Sequence, residues 1–157
     1  MKVEQIINRA LEKVLIGLMG VLVLDVLWQV VSRYLLSSPS SFTDELAGFL
    51  LIWVGVLGAA YVTGKNQHLA IDLLKQKVSP NNRRRIDIAI NTLVALFALM
   101  VMVVGGIWLV ITRFQLDVNS AALRMPLGFV YLVMPISGLL IIFYSIVLII
   151  NPKKGEA

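Results

Sequence analysis

Apolar residues fill four long stretches of the chain, separated by polar segments at residues 37–41, 65–85 and 113–125. A helix needs about 20 predominantly apolar residues to cross the hydrocarbon core of a bilayer. The stretches at about 14–36, 42–64, 86–112 and 126–150 all meet that length. The pattern predicts an all-α integral membrane protein of four transmembrane helices, forming a single membrane domain over 1–157.

The flanks sharpen the boundaries. In residues 1–13, Val3, Ile6, Ile7, Ala10 and Leu11 make one helical stripe, with Lys2, Glu4, Arg9 and Lys13 opposite. This suits an interfacial helix or a polar extension of the first span. Ser37-Ser38-Pro39-Ser40 is a turn-forming stop. Ser41 and Asp44 have the spacing of a capping box, and Asp44 and Glu45 suit the positive end of a helix dipole. In the connection at 65–85, Leu69, Leu73, Leu74 and Val78 predict a short amphipathic interfacial helix over 68–78. Ser79-Pro80 then reads as a cap and first helical position. Pro126 opens the fourth span and Asn151-Pro152 stops it. The last two spans extend about 37 Å as helix against about 30 Å of hydrocarbon, so both are expected to tilt.

Composition agrees with the pattern: 59% of the residues are hydrophobic and 15% charged, outside the range of soluble domains. The absence of cysteine removes disulfides and thiolate chemistry. One histidine, His68, cannot alone build a zinc site or a bis-histidine haem site. No phosphate-binding glycine loop, HExxH or GxSxG motif is present, so no catalytic residue, metal or cofactor is expected. Asp25 interrupts the first apolar stretch and no small-x-small site follows, so the N-terminus is not read as a signal peptide.

The net charge of +5 sits at the ends of apolar runs rather than in a nucleic-acid-binding patch. Eleven of the 14 Lys and Arg residues lie in the N-terminal segment, the 65–85 connection and the C-terminal tail. Arg33, Arg113 and Arg124 lie on the opposite side. Cytoplasmic loops are the basic ones, which predicts both termini inside and the loops 37–41 and 113–125 outside. The run Arg83-Arg84-Arg85 is a topology determinant and a candidate contact for anionic lipid headgroups.

Asp25 falls mid-span, where a charge costs about 2.5–3.5 kcal/mol unless it faces protein or water or carries a proton. Gln29 and Arg33 follow at intervals of four and share its face. Two readings stand: a proton or ion relay, or a polar seam that packs helices or meets a partner subunit, with Arg33 pairing to Asp44 or Glu45. Gly55, Gly58, Ala59, Ala60, Gly64, Gly105-Gly106 and Gly138 are small residues of the kind that let helix backbones approach. Pro135 is expected to kink the fourth helix. Trp28, Trp53 and Trp108 are read as interfacial anchors or packing residues.

The stretch Thr43-Asp44-Glu45-Leu46-Ala47-Gly48-Phe49-Leu50-Leu51-Ile52-Trp53-Val54-Gly55-Val56-Leu57-Gly58-Ala59-Ala60 resembles the second helix of the small membrane subunit (DctQ type) of TRAP transporters, the tripartite ATP-independent periplasmic transporters of bacteria and archaea. Arg33-Tyr34, His68-Leu69-Ala70-Ile71-Asp72 and Ser120-Ala121-Ala122-Leu123-Arg124-Met125-Pro126 agree with it in order and spacing. Phe42 stands where such subunits often carry Trp.

This resemblance implies a non-catalytic scaffold subunit in the cytoplasmic (inner) membrane. Its implied partners are a large membrane subunit, which holds the substrate and ion sites, and a periplasmic substrate-binding protein. The implied cargo is an organic acid, either a dicarboxylate or a sialic acid. Candidate subunit-interface or packing residues are Asp25, Gln29, Arg33, Trp53, Gly55 and Ala59, and candidate docking residues for the binding protein are Asp117, Ser120 and Arg124. The competing reading is a self-sufficient proton-coupled exporter acting as a dimer around Asp25.

Overall fold

A computed structural model describes residues 2–36, 40–65 and 80–150. The expected interfacial helix at 68–78, together with His68, lies outside them. Every regular element described is helical: α1 (Lys2–Tyr34), α2 (Ser41–Gly64), α3 (Pro80–Phe97), a π-helical segment (Ala98–Gly105), α4 (Gly106–Gln115), α5 (Leu127–Tyr131) and α6 (Val133–Ile150). Four stretches among the described residues are long and apolar enough to cross a membrane: Glu4–Tyr34, Ser41–Gly64, Asn82–Gln115 and Leu127–Ile150. The fold class is the one the hydrophobic pattern predicts.

Boundaries follow local chemistry. The amphipathic segment at the start of the chain joins the first span without a break, so α1 is one helix of 33 residues. α2 opens one residue before the expected start. Ser40 rather than Ser41 sits at its cap, and its carbonyl accepts from the Asp44 N–H at 3.3 Å and the Thr43 hydroxyl at 3.0 Å. α3 begins at Pro80, whose fixed φ and missing N–H suit a first turn.

The fourth span is interrupted at Leu132, between α5 and α6. Pro135 is the cause: it has no N–H for the Tyr131 carbonyl, and its ring crowds that carbonyl. The break falls one turn before the proline, and Leu132 there keeps right-handed helical dihedrals, with φ −55° and ψ −26°. The π segment carries no such sequence mark. Its wider turns, closed by i→i+5 hydrogen bonds, sit between α3 and α4 in an otherwise continuous helical stretch.

The described residues divide into two compact units. One contains residues up to Gly58 with Trp108–Val133, the other Ala59–Ile107 with the chain from Met134 onward. In the second unit Ala60, Ala98 and Ile141 are buried together, and Val94, Met102, Leu140 and Ile142 pack around them. Glycines set how closely its backbones approach. A Cβ on Gly138 would lie 2.8 Å from the Met102 Cβ and 3.3 Å from the Ala98 carbonyl oxygen. One on Gly106 would lie 3.0 Å from the Pro135 ring. In the first unit the same economy appears at Gly128, whose missing side chain leaves room for the Phe114 ring. Phe114 also meets Phe129 edge-to-face at 5.2 Å, and the Arg113 guanidinium lies 5.8 Å from the Tyr131 ring centre.

Candidate functional site

The polar residues of α1 converge on the start of α2. Asp25, Gln29 and Arg33 lie on one face because their spacing of four brings them round a full turn. Asp25 is buried, at 8% exposure, and accepts from the Gln29 side-chain amide at 3.3 Å. The same amide nitrogen donates to the Thr43 carbonyl of α2 at 2.8 Å. Arg33 reaches Asp44 at 3.8 Å with both side chains about half exposed, so this pair contributes little by itself. The seam is thus a ladder of polar ties between α1 and α2, and of the two partners foreseen for Arg33, Asp44 takes the role.

Glu45 has a different partner. It sits one residue beyond Asp44 in the first turns of α2, and its carboxylate is enclosed by the segment that follows α4. Oε2 accepts from the Ser120 hydroxyl at 2.9 Å and from the N–H groups of Ala122 and Leu123, each at 2.9 Å. Oε1 accepts from the Ala121 N–H at 2.8 Å. Successive backbone N–H groups turned toward one point form an anion nest. Here the anion is the chain's own side chain.

The rest of that loop is equally fixed. Ser120 N–H donates to the Met125 carbonyl at 2.9 Å, Arg124 N–H to the Ser120 carbonyl at 3.1 Å, and Leu127 N–H to the Val118 carbonyl at 2.9 Å. Asp117 and Arg124 hold left-handed backbone conformations, with φ of 48° and 51°. Of the three docking candidates, Asp117 and Arg124 are exposed, whereas Ser120 is turned inward at 5% exposure.

Trp53 ties α2 to the fourth span. Its indole N–H donates to the Val130 carbonyl at 3.0 Å, in the turn just before the proline-induced break. Beside it, Leu18 of α1, Leu46, Phe49 and Leu50 of α2, and Met125 and Phe129 line an open apolar groove of about 200 Å³. Trp28 and Trp108 are exposed.

The small residues separate into two kinds. Gly106, Gly128 and Gly138 are pressed against neighbouring side chains, as described above. Nothing lies within 4 Å of a Cβ placed on Gly48, Gly55 or Gly58, and Ala59 is exposed. That face of α2 has no partner among the described residues. Arg83, Arg84 and Arg85 are all exposed near the start of α3, whose first turn contains no acidic residue.

Residues 22–154 match the model of the family described as Tripartite ATP-independent periplasmic transporters, DctQ component. The chain belongs to the DctQ family. It is 29% identical over 137 residues to a protein of Haemophilus influenzae that bears the name TRAP transporter small permease protein, covering 86% of this chain and 82% of that one. It is also 29% identical over 101 residues to the sialic acid TRAP transporter small permease protein SiaQ of Vibrio cholerae, covering 63% of this chain and 58% of that one. As a DctQ-type protein with four helices among the described residues long and apolar enough to cross a membrane, it is a multi-pass protein of the inner membrane and a small permease component of a tripartite transporter.

Within this DctQ chain, sequence reasoning singled out the α1 seam and Trp53 but did not connect Glu45 to Ser120. Both residues stood in motifs that pointed to the family, yet 75 positions separate them. The three backbone N–H groups that complete the clamp have no residue-type signature.

Proposed function

We propose that this chain is the non-catalytic scaffold subunit of a secondary-active, ion-coupled transporter that imports organic acids. It works with a large membrane subunit that carries the cargo and with a periplasmic protein that delivers it. The observation that carries this reading is the DctQ match over 22–154. The side-chain chemistry supports it. Gln29, Glu45 and Trp53 spend their hydrogen bonds inside the chain, as framework residues do, and the groove beside Trp53 is apolar. A cargo domain that moves needs a static body to move against, and this chain supplies long apolar helices.

The open Gly48–Gly55–Ala59 face of α2 is the surface we assign to the large subunit, because small residues let a partner helix approach closely in lipid. The distribution of basic residues supports an orientation with both termini and the 65–85 connection in the cytoplasm, and the loop carrying Asp117 and Arg124 outside, toward the binding protein. Arg83, Arg84 and Arg85 then meet anionic headgroups of the inner leaflet. The Vibrio cholerae relative, named for sialic acid, favours sialic acid over a dicarboxylate as cargo.

Affinity purification of the tagged chain from its native membrane tests the assignment. A much larger multi-span protein should copurify in fixed proportion. Recovery of the chain only as a self-associated dimer would support the exporter reading instead.

A further inference from the structure

We infer that Glu45 is a positioning residue that shapes the loop at 117–126 for docking of the soluble partner. This rests on the reading above that the loop faces the binding protein. One carboxylate gathers the Ser120 hydroxyl and three consecutive backbone N–H groups, all at 2.8–2.9 Å. Hydrogen bonds to an ionised acceptor are roughly twice as strong as neutral ones. Three N–H groups that a turn would otherwise leave to water are thereby fixed in direction by a side chain from a distant part of the sequence.

The fixed segment ends at Leu123, and Arg124 follows it directly. Arg124 adopts φ 51°, a conformation that costs a non-glycine residue energy and persists only when its surroundings dictate it. Its N–H is held by the Ser120 carbonyl, and the Ser120 hydroxyl is in turn held by Glu45. Asp117, also left-handed, precedes the clamp. Glu45 is only half-buried, and its carboxylate is taken up by the loop. Its effect is to present Arg124 and Asp117, one cation and one anion, in a fixed relation to each other. The complementary partner surface carries a carboxylate opposite Arg124 and a basic group opposite Asp117. Preorganisation of this kind lowers the ordering cost of association.

The test uses the chain assembled with its large subunit, measuring amide hydrogen exchange and affinity for the soluble binding protein. Glu45→Ala should accelerate exchange at Ala121, Ala122 and Leu123 by at least tenfold, with exchange in the membrane helices unchanged. It should weaken docking about as much as Arg124→Ala does. Ser120→Ala removes one donor and keeps the three backbone bonds, so it should give a smaller change of the same sign in both readouts. It also carries the test if Glu45→Ala fails to assemble. Unchanged exchange at the three amides overturns the proposal, and so does faster exchange with wild-type docking. Full docking by Arg124→Ala has a different meaning: it removes the loop from the docking surface and overturns the underlying reading, whatever Glu45 does.

Discussion

The side-chain amide of Gln29 donates to the backbone carbonyl of Thr43 at 2.8 Å, crossing from the first membrane helix to the first turn of the second. The same nitrogen lies 3.3 Å from the Asp25 carboxylate. One neutral side chain therefore gives a buried acidic group a partner and ties two helices together.

From this follows the first prediction. Gln29→Leu removes both bonds and should lower the stability of the purified chain by about 0.5–1.5 kcal/mol, the range for interhelical hydrogen bonds in membranes. Asp25→Asn keeps a hydrogen-bonding group at the position and should leave assembly and uptake close to wild type. Intact assembly with abolished uptake would instead make Asp25 a relay. Unfolding in mixed detergent and uptake by the reconstituted complex are the two measurements.

Gly138 and Gly55 are both small residues in membrane helices, and their substitutions should behave oppositely. A methyl group at Gly138 meets the Met102 Cβ at 2.8 Å and a backbone carbonyl at 3.3 Å, so Gly138→Ala should cost about 1–3 kcal/mol through overpacking. Around Gly55 there is open space, so Gly55→Leu should leave the isolated chain as stable as wild type. If its face meets the large subunit, the same substitution should markedly reduce copurification. Thermal unfolding of the chain alone, set beside pull-down of the complex, separates the two effects.

Trp53→Phe keeps most of the aromatic volume and removes only the N–H that reaches the Val130 carbonyl. The expected loss is about 0.5–1.5 kcal/mol in the same unfolding assay. A loss below experimental error would mean that the carbonyl beside the Pro135 break finds another donor at no cost.

Arg33 and Asp44 should matter far less. Their 3.8 Å contact is half exposed, and a double-mutant cycle should return a coupling of about 0.2–1 kcal/mol. A larger coupling would show that the pair is shielded by a partner in the assembled complex.

The four membrane helices were legible because long apolar stretches admit few alternatives, and the break at Leu132 was legible because Pro135 lacks an N–H. The π segment was not, since Ala98-Leu99-Met100-Val101-Met102-Val103-Val104-Gly105 would serve an α-helix equally well. The α1 seam could be seen from its spacing of four. Its contact with the Thr43 carbonyl could not, because a backbone acceptor leaves no trace in residue type. The Glu45 clamp stayed hidden for the same reason. Small residues stood out as a class, yet sequence does not distinguish Gly138, already packed, from Gly55, still open. That difference depends on which faces the fold has covered.

Uptake measured in proteoliposomes addresses the central assignment most directly, with this chain alone, the large subunit alone, and the two together, each supplied with the binding protein and an ion gradient. Accumulation of an organic acid is expected only when both membrane subunits are present, and none from this chain by itself. Gradient-driven transport by this chain alone would contradict that assignment.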